Sequence, residues 1–132
     1  MLKNRRFFNF LMFASLLGIL ASCSYDFIEY PAPPPPPDPN DTVYFSQKIA
    51  PIFTTDDKCT ACHKAGGTAS PDLTTDASYN SIVPALVNLT APEESLIYWH
   101  AHPNSTVHMW KKLSVGEADL ILLWIQQGAL NN

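Results

Sequence analysis

Cysteine is scarce: Cys23, Cys59 and Cys62 are the only three in 132 residues. An odd count in an exported chain ordinarily flags one unpaired thiol. Two neighbouring cysteines and scattered histidines also fall short of an obvious four-ligand structural zinc site. Basic residues are few as well, and three of the eight (Lys3, Arg5, Arg6) stand in the first six positions. Without those three, twelve acids face five lysines, a net charge of −7, which excludes a basic nucleic-acid surface. No stretch alternates polar and apolar residues as a strand does, so there is no strand–helix–strand setting for a thioredoxin-like Cys-x-x-Cys. There is no internal repeat. The near-continuous apolar run Phe7–Leu20 falls short of the ~20 residues of a membrane span.

Proline, by contrast, is abundant: twelve in all, seven of them between Pro31 and Pro39. The positive start and short apolar run predict a signal peptide over residues 1–22. The run ends in Leu20-Ala21-Ser22-Cys23, which resembles the lipobox of bacterial lipoproteins. That resemblance implies cleavage before Cys23, diacylation of its thiol and attachment to a membrane through the lipid. Residues 23–40 then form a proline-rich stalk. Proline fixes φ and lacks a donor, which predicts a semi-rigid polyproline II spacer that does not pack.

Residues 41–132 are left as the folded domain. Apolar positions Tyr44, Phe45, Ile49, Ile52 and Phe53 predict a first helix that ends or kinks at Pro51. Lys64–Thr75 reads as loop, and Asp76–Val83 and Glu93–His100 as short helices. The last helix is the best marked. Ser114 and Glu117 form a capping box, Ala118, Ile121, Leu122 and Ile125 form one apolar stripe, and Gly128 is a suitable stop. The fold class is all-α.

Cys59-Thr60-Ala61-Cys62-His63 carries the chemistry. This Cys-x-x-Cys-His spacing is that of c-type haem attachment. Two thiols three residues apart can reach the two vinyl groups on one porphyrin edge, and the next residue turns its imidazole under the ring to bind iron. Cys59 and Cys62 are therefore assigned to thioethers, His63 to the proximal iron ligand and Cys23 to lipid, leaving no cysteine over. For the sixth position the candidates are His100, His102, His108 and Met109. Met109 stands five residues before Ser114, in the loop ahead of the last helix, and is preferred. A thioether favours ferrous iron and raises the potential relative to two histidines. His108 is the alternative distal ligand, and His100 and His102 read as ordinary polar residues at a helix end.

Around the pentapeptide, Ser46-Gln47-Lys48-Ile49-Ala50-Pro51-Ile52-Phe53, Pro71-Asp72-Leu73, Ser95-Leu96-Ile97-Tyr98, Leu123-Trp124-Ile125 and Gly128-Ala129 resemble the small class I cytochrome c domain of bacterial envelope proteins. The resemblance spans nearly all of residues 41–132. It implies a small cytochrome c-like helical fold around one covalently bound haem c, with crossing first and last helices. It also implies that Leu73 and its neighbours cover the haem and that Met109 binds iron. One position departs from the family, where proline or glycine usually follows the methionine: here it is Trp110.

The expected function is one-electron transfer by a lipid-anchored monohaem carrier of the bacterial envelope, periplasmic or on the outer membrane. No catalytic group is in view, so the chain is not read as an enzyme. Its expected partners are envelope reductases or oxidases and the membrane itself, not nucleic acid. The alternative is a five-coordinate or bis-His haem module serving as a ligand sensor, or as an accessory subunit of a membrane redox complex.

Overall fold

A computed structural model describes residue 32 and residues 34–132. The expected signal peptide, the lipid attachment at Cys23 and the stalk up to Pro31 lie outside the described residues. From residue 34 onward the described chain is helical, with no strand among the described residues. The all-α expectation holds in that sense.

The first helical segment is built in two pieces. Phe45–Ile49 is a π-helical turn, closed by the Ala50 N–H donating to the Phe45 carbonyl, and α1 (Ala50–Thr54) continues from it. Pro51 therefore neither ends nor breaks the segment. A proline ring inside an α-helix clashes with the carbonyl four residues earlier, and a wider turn ahead of it relieves that clash. Pro51 thereby sits at the start of α1, where its missing N–H costs nothing. Two short helices follow: α2 (Ser78–Ile82), and α3 (Leu96–Trp99), which is preceded by a 3₁₀ turn at Pro92–Glu94.

The final helix, α4 (Val115–Gln126), is the longest of the described elements and starts on the predicted capping box. The Ser114 hydroxyl accepts from the Glu117 N–H, and the Glu117 carboxylate accepts from the Ser114 N–H at 2.6 Å. It stops as the sequence indicates. Gly128, at φ +98°, donates to the Ile125 carbonyl and Ala129 donates to that of Trp124, which is a Schellman motif. The buried face differs slightly from the expected stripe. Ala118, Ile121 and Ile125 are buried, and Trp124 widens the face as its sequence position indicates, but Leu123 joins them while Leu120 and Leu122 are only half-buried. Contacts on two sides of α4 widen the face beyond one stripe.

The core joins the two ends of the domain. Phe45 lies edge-on to Tyr79 at 5.2 Å between ring centres and tilted against Trp124 at 5.3 Å. The Trp124 indole donates to the Leu130 carbonyl and the Tyr79 hydroxyl to that of Ala129. Asn132 accepts from the Phe45 N–H through its side chain and from the Ser46 N–H through its carbonyl. Gln127 bridges the Val43 N–H and the Asp41 carbonyl. The first and last helical segments thus pack together. The proline-rich segment also meets the domain. Pro34 lies so near α4 that a Cβ on Gly116 would stand 3.4 Å from its Cγ. The spacer expected not to pack therefore runs beside the domain at Pro34.

Candidate functional site

The pentapeptide is a tight turn held from both sides. It is reached through Asp56 and Asp57, both left-handed at φ near +50°, a conformation that aspartate tolerates better than most residues. The Cys59 N–H donates to the Phe53 carbonyl at the end of α1, and the His63 N–H to the Cys59 carbonyl at 2.9 Å. That turn puts Cys59, Cys62 and His63 on one wall of a cavity. Gly67 closes the loop behind it. A Cβ there would stand 2.3 Å from the Cys62 carbonyl oxygen, a distance no side chain can accept.

The cavity has a volume of ≈ 380 Å³, within the range of cofactor pockets. Its floor is apolar: Phe53, Leu73, Leu86, Ile97, Ala101 and Leu113 line it beside the two cysteines. Both thiols are free. Burial holds the Cys59 thiol above its ordinary pKa, with the Lys58 charge pulling the other way. A wider surface groove of ≈ 630 Å³ borders the cavity across Lys58 and Lys111 and is bounded also by Lys48, Asp56 and Glu117. It contains no cysteine or histidine and so none of the attachment chemistry.

His63 is oriented by a backbone carbonyl. Its Nδ1 lies 3.1 Å from the Pro71 carbonyl oxygen, and a carbonyl can only accept. In the neutral ring the proton therefore sits on Nδ1 and Nε2 keeps its lone pair for a metal, the arrangement usual for metal-bound histidine. The segment supplying that carbonyl is itself fixed. The Leu73 N–H donates to the His63 carbonyl, and the Asp72 carboxylate accepts from both the Thr74 N–H and its hydroxyl. Those two Thr74 bonds hold the Asp72 carboxyl below the usual carboxylate range. Pro71-Asp72-Leu73 is thus a positioning strap for His63, a role that nothing in the sequence pattern alone discloses.

The sixth-position candidates separate. His108 lines the cavity. Its ring centre is 6.1 Å from that of His63, with the rings 24° from parallel. Its Nδ1 is buried without a hydrogen-bond partner. Met109, the residue preferred from sequence, is 80% exposed and is not among the cavity-lining residues. His100 lines the cavity but is exposed. His102 stacks on Trp99, packs edge-on to Tyr98, and accepts from the Asn104 N–H through Nδ1.

These residues fit a haem better than a bare ion. Among the described residues no three His, Cys, Asp or Glu side chains gather as a metal cluster. A porphyrin brings its own in-plane nitrogens and asks the protein only for axial ligands and an apolar slot. Comparison with family models, with curated proteins and with solved structures finds no match to this chain. The functional reading accordingly rests on the residues and their geometry.

The site is also tied to the last helix. Lys58, next to Cys59, is ion-paired with Glu117 in the capping box of α4. Burial raises the Glu117 carboxyl, but the Lys58 ammonium together with the Ser114 N–H and hydroxyl outweighs it and leaves the pKa lowered. Glu117→Gln should keep the cap, which glutamine can also make, and lose only the ion pair, about 0.2–1 kcal/mol. Glu117→Ala should lose both, at about 1 kcal/mol more. A carboxyl with a lowered folded-state pKa stabilises the fold above its unfolded value, and that contribution is lost as pH falls through the folded value. Urea unfolding should therefore show the gap between wild type and Glu117→Gln closing on acidification. A gap of constant size would show that the ion pair contributes nothing.

Proposed function

We propose that this chain is a monohaem c-type cytochrome that carries single electrons in the bacterial envelope, tethered to a membrane through lipid on Cys23. In this reading the helical domain is a small class I cytochrome c-like fold. Cys59 and Cys62 hold the haem edge by thioethers. His63 offers Nε2 to the iron, and the Pro71 carbonyl, accepting from Nδ1–H, selects the neutral tautomer whose Nε2 carries the free lone pair. The apolar floor from Phe53 to Leu113 excludes water, and the sixth ligand comes from the His108–Met109 segment. When bound, the haem supplies an iron(III)/iron(II) couple that takes and returns one electron. The chain's partners are then envelope reductases or oxidases, to which tethering gives a high local concentration.

The observation that carries this reading is the union of the Cys-x-x-Cys-His turn with an apolar cavity and a carbonyl-oriented His63. The test is to purify the protein from cells that mature c-type cytochromes. One haem should survive denaturation on the chain, titrate reversibly as a one-electron couple and fail to bind carbon monoxide. A chain without covalent haem would sink the proposal. A high-spin haem that binds carbon monoxide would replace the carrier with the ligand-sensing alternative.

A further inference from the structure

Two imidazoles from separate segments line the same cavity. His63 and His108 lie on different segments, 45 residues apart, yet their ring centres are 6.1 Å apart and their planes 24° from parallel. Two histidines bound to one metal from opposite sides, through bonds of about 2.0–2.1 Å, hold their ring centres about 6 Å apart. The buried Nδ1 of His108 has no hydrogen-bond partner. Met109, its immediate neighbour, is 80% exposed.

We infer that His108, not Met109, is the sixth ligand, so that the haem iron is held between the imidazoles of His63 and His108. The inference rests on the cytochrome reading and deepens it. Replacing a thioether by a second imidazole removes the preference for ferrous iron, so the carrier's potential lies below that of a methionine-ligated one. Trp110 follows Met109 where a loop-forming residue would help the methionine turn inward. It lines the cavity from that side, 73% exposed.

Optical spectra and redox titrations of the matured protein, of Met109→Leu and of His108→Gly test this. Wild type and Met109→Leu should share one low-spin spectrum without the weak far-red methionine-to-iron band, and their potentials should agree. His108→Gly should lose the low-spin spectrum and recover it when free imidazole is added, a rescue that a merely misfolded variant cannot show. A far-red band in the wild type that Met109→Leu abolishes would overturn the assignment to His108 and leave the cytochrome reading standing. Absence of covalent haem from all three would overturn both.

Discussion

Replacing both Cys59 and Cys62 by serine is expected to abolish covalent haem and, with it, the cooperative fold. The two thiols stand on one turn, at one wall of a cavity of ≈ 380 Å³ floored by core residues such as Phe53, Leu73 and Leu113. Filling volume in a core is worth about 24 cal/mol per Å³, which puts the packing contribution of a group that filled this cavity at about 9 kcal/mol. That is comparable to the whole stability of a domain of this size, about 5–15 kcal/mol. The double variant should carry no haem after denaturing electrophoresis and should show a broad urea transition at a much lower midpoint. An unchanged, sharp transition would mean that the helical domain is stable on its own contacts and that the cavity is not a structural demand for the cofactor.

Trp124→Ala should be the most damaging single change in the core. Trp124 is 1% exposed and packs against Phe45 and Tyr79, which belong to the other end of the domain and to α2. Truncating a buried tryptophan costs about 3–5 kcal/mol through lost burial and the space left behind. The indole N–H also holds the Leu130 carbonyl in the tail that returns to Phe45, at a net worth of about 0.5–1.5 kcal/mol. Trp124→Phe keeps most of the ring and loses that bond, so the two variants separate packing from hydrogen bonding. Denaturant midpoints on the matured protein should rank wild type, then Trp124→Phe, then Trp124→Ala. Equal midpoints for wild type and Trp124→Ala would show that the aromatic cluster does not join the two ends of the domain.

The local features were legible because short-range chemistry sets them. Ser114 and Glu117 cap one another over three residues, and Gly128 can adopt a positive φ that stops a helix; both behave as the sequence indicates. The turn of Cys59 to His63 belongs to the same class, since its spacing brings the two thiols and the imidazole together whatever the rest of the chain does. Pro51 was half legible. Its clash with a preceding carbonyl is certain from sequence, but whether the chain ends, kinks or widens its turn depends on what the segment packs against. Here the burial of Phe45, Ile49 and Phe53 keeps the segment continuous, through a π turn.

The sequence by itself determined the all-α class, the boundaries of the last helix and the Cys-x-x-Cys-His turn, because each follows from contacts between residues a few positions apart. The tertiary structure alone decided which carbonyl orients His63, which residue of the His108–Met109 pair turns into the cavity, and that Lys58 reaches Glu117. Those pairings join segments eight to 59 residues apart. They depend on how α4 and the strap at Pro71 are packed, and no local preference encodes that.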